Sequence, residues 1–420
     1  EGGFISALVN RKEIRHEDYN AVFWFNFLVS LGCYLVLFFC APLIARYFHQ
    51  PVLVKLARWS FLGFVLAGLG TAHRAYLTKK LQVKEMAIVT IVAVTIAGLL
   101  GIFFAWKGYA YWALVIQSLV LAFLTNAGFW LVSKWRPSFR VDFRPVKEMF
   151  RFSVKLMATS ALGILNSNLV TVILGRYYSA ERVGYYTQAS KWSSMGSTVL
   201  SGMVNSVSHP VLAEVVDERD RQVRIFRKII RFAAFISFPA MLGLAFIAPE
   251  FIPLVLKDKW LDSVLLLQIL CFGGAVLPLS NTCVNLLLSR GRSTQYMWAN
   301  IALFVLILAA LYLSYPLGVT GMVVAVTALN VLWLLVWAFL VRREIGYTFL
   351  QLLADLLPFL GATLAAIGVA FLLTAGIANR WWLLAAKIGV TAALYFLVLW
   401  LARSVTLKES VQFFIQKFRK

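Results

Sequence analysis

Charge is what this sequence has least of. Charged residues make up 14% of its 420 positions, where a soluble globular chain carries about a quarter, so an ordinary soluble enzyme is excluded. Acids are the scarcer sign, 18 Asp+Glu against 40 Lys+Arg, and a cationic substrate would find few carboxylates to meet it. Histidine and cysteine are just as sparse: His16, His49, His73 and His209 are scattered, and Cys33, Cys40, Cys271 and Cys283 form no CxxC and lie in apolar runs. That spacing excludes metal and thiol chemistry and leaves buried free thiols. No P-loop, GxSxG or HExxH occurs, so a nucleotide-driven pump or a hydrolase has no motif to rest on. A soluble domain is missing too. The outer loops 46–50, 106–109 and 176–182 are a few residues long, and the longest connections, 134–148 and 210–231, are basic rather than domain-sized.

What the chain has in abundance is apolar length: 61% hydrophobic residues, 15% aromatic and a mean hydropathy of +0.80. Runs of roughly 20 residues, enough for a hydrocarbon core of about 30 Å, predict twelve spans. They cover 21–45, 52–72, 85–106, 110–133, 149–175, 183–209, 232–256, 261–288, 296–314, 319–341, 348–374 and 383–402. One side of this topology holds most of the Lys and Arg, while the other holds Arg46, Lys107, Arg176, Arg182, Lys257, Lys259 and Arg380. The positive-inside rule therefore puts both termini in the cytoplasm. It accounts for most of the +22 net charge without nucleic acid as a partner. Asp220–Arg231 and Val405–Lys420 alternate apolar and basic residues at helical spacing, and read either as interfacial helices on anionic membrane lipid or as solvated positive-inside segments.

Shifting the chain by 210 residues lays Leu56–Trp135 over Leu266–Ile345 without a gap, with Gly63 on Gly273, Leu77 on Leu287, Ile91 on Ile301 and Gly108 on Gly318. The offset spans an even number of crossings, so the halves are parallel repeats about an axis along the membrane normal. The expected fold is all-α, a polytopic helical membrane protein of two lobes. The domains are 1–144 as the N-lobe, 145–345 as the C-lobe, 346–402 as an added helix pair and 403–420 as a basic cytoplasmic tail. If the second half begins near Pro145, its counterpart begins about 64 residues before position 1, room for two more spans. The opening Glu1-Gly2-Gly3, without Met, fits that expectation of an N-terminal truncation from about fourteen spans.

The sixth span carries seven serines, two threonines, Gln188, Asn205, His209 and Lys191. Lys191, Ser194, Thr198, Ser201, Asn205 and Ser208 are expected to form one polar stripe lining a hydrated cavity, with close packing through small residues as the competing reading. The fifth span repeats the arrangement with Lys155, Thr159, Gly163 and Asn166, with Asn168 nearby and Arg176 at its end. An ammonium inside a span needs water, a partner or an anion. Lys155 and Lys191 are therefore substrate candidates, with snorkelling to the interface as the alternative, and for Lys387 snorkelling is the favoured of the same two readings. Asp355 and Glu250 are the candidate ion-coupling carboxylates, each also readable as interfacial. No metal site or cofactor is expected beyond a coupling H+ or Na+. Prolines 42, 239, 249, 253, 278 and 358 are expected to break or kink their spans.

Particular stretches resemble a known family: Gly3-Phe4 running into Ala7-Leu8-Val9 and Arg11-Lys12, Ala21–Leu28, Ala41-Pro42-Leu43-Ile44, and above all Tyr177–Lys191 (YYSAERVGYYTQASK). They are similar to the Wzx-type lipopolysaccharide and capsule flippases, in particular the colanic-acid-type branch, of the multidrug/oligosaccharidyl-lipid/polysaccharide superfamily. The resemblance implies a two-lobe carrier in the bacterial inner membrane, not an enzyme. Its cargo would be an oligosaccharide on undecaprenyl diphosphate, handed over for O-antigen or exopolysaccharide synthesis, with a polysaccharide polymerase as a further partner. On that reading Lys191, Lys155 and Arg176 meet the phosphates, and Gln188, Asn166, Asn168, Ser194, Thr198 and Asn205 make polar contacts, assignments that come from helical spacing rather than a family motif. The rivals are a cation or multidrug antiporter of the same superfamily, which would want carboxylates where lysines stand, and a membrane polysaccharide polymerase or ligase, which would want a larger outer loop.

Overall fold

The computed structural model describes residues 5, 8, 14–139, 142–404 and 406–409; within them, the side chains of 148, 149, 151–153, 155–160, 162, 209, 210 and 213 fall outside the description. The described residues form helices joined by short turns, with no strand among them. In chain order the helices are α1 (His16–Tyr47), α2 (Leu53–Ser60), α3 (Leu62–Lys79), α4 (Val83–Trp106), α5 (Tyr111–Val132), α6 (Arg144–Tyr177) and α7 (Ala180–Glu214). They continue as α8 (Arg219–Leu256), α9 (Ser263–Ser289), α10 (Ser293–Ser314), α11 (Gly318–Ile345), α12 (Phe349–Thr374) and α13 (Arg380–Leu401). Eleven of the twelve expected spans each fall on one helix to within two residues at their ends, whereas 52–72 is divided between α2 and α3 by a turn at Phe61. Among the described residues, nine helical stretches are long and apolar enough to cross a membrane, and one of them, Ser293–Ile345, holds α10 and α11 together. The polar α6 and α7 are not among the nine, although they are 34 and 35 residues long.

Two compact units divide at Leu169 and Val170, inside α6. The start of α6 belongs to unit 1 because its apolar residues pack there: Val146 joins the core of Tyr19, Val22, Phe23, Ala72 and Trp135, and the Phe150 ring lies 6.3 Å from Phe25. In unit 1, α1 packs on α3, α3 on α5 and α5 on α4. Gly68 sets the α1–α3 approach, since a Cβ there would sit 2.9 Å from the Cβ of Ser30 and 3.0 Å from the carbonyl of Asn26. In unit 2, α9 is the central helix, packed against α7, α8 and α11, while α12 and α13 lie on α8. With lipid as solvent, such seams gain from close packing more than from exclusion of water.

Two turns that the 210-residue shift superposes have matching backbone bonds. The turn after α3 closes through Lys80 N to Tyr76 O, Leu81 N to Thr78 O and Gln82 N to Leu77 O. The turn after α9 closes through Arg290 N to Leu286 O, Gly291 N to Leu288 O and Arg292 N to Leu287 O, every partner displaced by the same 210 positions. Both turns need a left-handed residue: φ is 53° at Leu81 and 72° at Gly291, and likewise 86° at Gly108 and 75° at Gly318. Leucine adopts that conformation at a cost glycine avoids.

One expected element is corrected. Asp220–Arg231 is not a separate helix on the membrane surface but the first turns of α8, which runs unbroken to Leu256. Its apolar face is inside the protein: Gln222, Phe226, Ile229, Ile230 and Ala233 are buried at the spacing of one helical stripe. The tail segment 410–420 lies outside the described residues.

The six prolines sit inside helices that continue through them. A proline withholds the N–H that would bond the carbonyl four residues earlier, and in a membrane that carbonyl needs another donor. Three of them have one. The Tyr395 hydroxyl donates to Phe235 O at 2.9 Å, four residues before Pro239. The Gln268 amide donates to Ala245 O at 3.1 Å, four before Pro249. Arg58 Nε donates to Phe38 O at 3.5 Å, four before Pro42, with its guanidinium over the Phe38 ring. Tyr395→Phe keeps the ring packing but leaves the Phe235 carbonyl bare, and is expected to cost about 1–3 kcal/mol, read as a lowered melting temperature of the purified protein. An unchanged Tm would show that the carbonyl finds another partner.

Candidate substrate-contact residues and buried ion pairs

Helix α7 is anchored at its start. Ser179 is its N-cap, accepting from the Arg182 N–H at 3.4 Å, and the Tyr185 hydroxyl donates to Glu181 at 2.6 Å. The preceding tyrosines lock onto the turn between α10 and α11: Tyr178 OH donates to Tyr315 O at 3.0 Å and the Tyr177 and Tyr315 rings lie 5.0 Å apart. The segment Tyr177–Lys191 is thus a fixed corner of unit 2.

Along α7 the expected polar stripe divides. Lys191, Ser194 and Thr198 are exposed, whereas Ser201 and Ser208 are buried and Asn205 is half-buried. The reason is geometric: steps of alternately three and four residues fall short of 3.6 per turn, so the stripe winds about 100° around the helix between 191 and 208. The buried face is Tyr186, Ala189, Ser193, Ser197, Ser201, Val204 and Ser208. It meets α9 at Gly274, where a Cβ would stand 3.3 Å from Ser193 Oγ and 2.4 Å from the Met241 methyl. Asn285 on α9 donates to Asn205 Oδ1 at 2.9 Å and to Ser208 Oγ at 2.7 Å. Half of the serine-rich face is therefore a helix-packing seam, and the other half is a hydroxyl-bearing surface around a lysine. The Lys191 ammonium makes no hydrogen bond or ion pair among the described residues, and it stands roughly 17 Å along the helix from Ala180.

The remaining candidates are less concentrated. Gln188 and Arg176 are partly buried, and Arg176 stands in the last turn of α6, where a cation complements the helix dipole. Asn166 and Asn168 belong to unit 1. Asn166 Oδ1 is buried without a hydrogen-bond partner, and Asn168 is exposed, its amide donating to Ile164 O at 2.9 Å and to Ser167 Oγ at 3.3 Å. The Lys155 side chain lies outside the described residues.

Both candidate carboxylates are ion-paired in unit 2, in clusters that sequence reasoning missed. Asp355 on α12 has a fully buried side chain held by Arg227 through Nε at 2.8 Å and Nη2 at 2.9 Å. Arg231 adds Nε at 2.7 Å and the Tyr347 hydroxyl adds a bond of 2.9 Å to Oδ2, so both oxygens are occupied. Arg227 and Arg231 stand one turn apart on α8, a spacing that signals a shared partner as well as it signals a lipid surface. Glu250 on α8 pairs with Lys387 on α13, Nζ to Oε1 at 2.8 Å, with the two side chains 12% and 9% exposed; Oε2 has no partner. Lys387 also lies 4.5 Å from the Phe246 ring centroid. It is therefore no snorkelling residue: a carboxylate and an aromatic face on α8 hold it inside the helix bundle. No cluster of metal-ligating side chains occurs among the described residues.

A family model described as polysaccharide biosynthesis protein matches residues 1–265. The chain is 25% identical over 377 residues to the teichuronic acid biosynthesis protein TuaB of Bacillus subtilis, covering 87% of this chain and 77% of that protein. It is 27% identical over 297 residues to the lipopolysaccharide biosynthesis protein WzxC of Escherichia coli, covering 69% and 59%. It is 23% identical over 373 residues to the succinoglycan biosynthesis transport protein ExoT of Rhizobium meliloti, covering 88% and 76%. Among solved structures, a lipid II flippase MurJ in an inward closed conformation matches with a TM-score of 0.79, covering 98% of this chain and 89% of that one. At 16% identity that likeness is one of fold.

Proposed function

The chain belongs to the polysaccharide biosynthesis protein family, and from that premise we propose that it is a flippase that carries a lipid-linked oligosaccharide across the membrane by alternating access. The relatives are named for different polysaccharides and the fold neighbour for flipping a lipid, which favours a cargo with a sugar head and a lipid tail. The observation that carries this reading is Lys191, an exposed ammonium with no partner among the described residues, far along a membrane-length helix and flanked on its face by Ser194 and Thr198. A cation so placed is costly unless an anion or water meets it, and a diphosphate is an anion that a low-dielectric site binds strongly.

In this reading the cargo is undecaprenyl-diphosphate-linked, with Lys191, Lys155 and Arg176 serving the phosphates and Gln188, Ser194, Thr198, Asn166 and Asn168 the sugars. Asn205 is assigned to the α7–α9 seam, since Asn285 already bonds it. The cycle uses an H+ or Na+ gradient and no bound cofactor. Glu250, with one oxygen unpartnered, suits coupling better than Asp355. The setting is the bacterial inner membrane with both ends of the chain in the cytoplasm, and a polysaccharide polymerase receives the product.

The test is complementation of cells lacking the full-length gene, with lipid-linked sugars identified by mass and their leaflet read by a periplasmic glycan-modifying probe. Intermediates trapped on the cytoplasmic side are expected. Lys191→Ala should lower surface polysaccharide roughly 10- to 100-fold, the worth of one charge-assisted contact, and Lys191→Arg should restore part of it. Normal transport by Lys191→Ala would remove the assignment. Flipped but unjoined units in the deletion strain would favour a polymerase instead.

A further inference from the structure

Helices α3 and α5 of unit 1 carry none of the substrate-contact residues, yet two adjoining hollows form a groove along them. Its first part, about 320 Å³, is walled by Leu62, Val65 and Leu119. Its second part, about 500 Å³, shares Leu66 and Phe123 with the first and is walled by Trp130, Leu131 and Arg136. On α3 the lining residues Leu62, Val65, Leu66 and Leu69 follow i, i+3, i+4, i+7 spacing, one helical face. On α5 the matching face runs from Leu119 to Leu131, a length of roughly 18 Å against about 15 Å for half of the hydrocarbon core. The groove is one leaflet deep.

Two of its polar side chains already donate to backbone carbonyls. The Trp130 indole donates to Leu69 O at 2.9 Å and the Asn126 amide to Ala122 O at 2.7 Å, so both act as walls. Arg136 stands just past the end of α5, at the mouth of the groove, on the side that the charge bias assigns to the cytoplasm. Its Nη1 donates to Ser133 O and Trp135 O, which leaves Nε and Nη2 uncommitted among the described residues.

We propose that this groove holds one acyl chain of an anionic glycerophospholipid of the cytoplasmic leaflet, with the lipid phosphate on Arg136. Depth and charge select that occupant. A lipid resident in that leaflet already has its phosphate at the interface and its chain running inward for the length of the groove, and the guanidinium fork matches a phosphate oxygen pair. The volume falls in the ordinary range of ligand sites, about 300–1,000 Å³. The site is independent of Lys191 and of the flippase reading.

The experiment is native mass spectrometry of the purified chain titrated with phosphatidylglycerol and, separately, phosphatidylcholine bearing the same acyl chains. One bound phosphatidylglycerol is expected, with affinity roughly tenfold above phosphatidylcholine. Arg136→Gln, at an exposed position, should bring the two lipids level, and Leu66→Trp, which fills the groove, should weaken both; melting temperatures check that the variants fold. Equal binding of the two lipids by the wild type, or a preference that survives Arg136→Gln, would overturn the proposal. So would displacement of bound phosphatidylglycerol by undecaprenyl phosphate in a manner that requires both Arg136 and Leu66, which would make the groove a seat for the cargo's tail.

Discussion

Asp355→Ala is expected to destabilise the protein by about 3 kcal/mol, near the lower end of the 3–5 kcal/mol that follows loss of one member of a buried ion pair. The carboxylate is fully buried and accepts from Arg227, Arg231 and Tyr347. Its removal leaves two guanidinium groups facing each other across an empty site. They are 32% and 41% exposed, so each can recover some water, and this keeps the cost below the top of the range. Tyr347 cannot, being buried at 1% exposure, and its hydroxyl loses its acceptor. Combining Asp355→Leu with Arg227→Met and Arg231→Met should return most of the lost stability, since an apolar trio needs no desolvation. Thermal melts of the single and triple variants test this. A triple variant as unstable as the single one would mean that shape, rather than charge, holds α8 to α12 here.

The same cluster shows why some of this fold was legible in sequence and some was not. Apolar run length located the helices because each must satisfy its own backbone in lipid. The punctuation of the repeat was equally readable, because Gly108 and Gly318 sit where the backbone must turn left-handed. Partner choice was not readable. Arg227 and Arg231 looked like lipid-facing charges because their partner lies more than a hundred residues away on another helix, and no local period records that. Lys387 was misread for the same reason, Glu250 being as distant in the chain.

The α7 stripe failed in a different way. Its residue types were right for a polar helix, but its steps drifted off 3.6 per turn, and the stripe crossed from an exposed face onto the α9 seam. Lys191, Ser194 and Thr198 stayed exposed while Asn205 and Ser208 became packing residues. Serine serves both purposes, being small enough for close helix contact and polar enough to line water. Sequence alone could not assign each serine until α9, with Gly274, fixed which side was inside.

Lys387→Met is expected to have an effect as large as that at Asp355, with a different consequence for transport. The Glu250 and Lys387 side chains are 12% and 9% exposed, so removing the ammonium strands a carboxylate inside the bundle at about 3–5 kcal/mol. Glu250→Gln strands the ammonium instead, though the Phe246 face softens that cost by about 1 kcal/mol. Joining the two as Glu250→Gln with Lys387→Met removes both charges, and the melting temperature should return close to wild type. That folded, charge-free variant separates structure from coupling. If Glu250 binds the driving ion, as proposed, the double variant folds but no longer accumulates transported product when a gradient is imposed on proteoliposomes. Full gradient-driven transport by the double variant would reduce the pair to a structural tie between α8 and α13 and leave the coupling ion to be sought elsewhere.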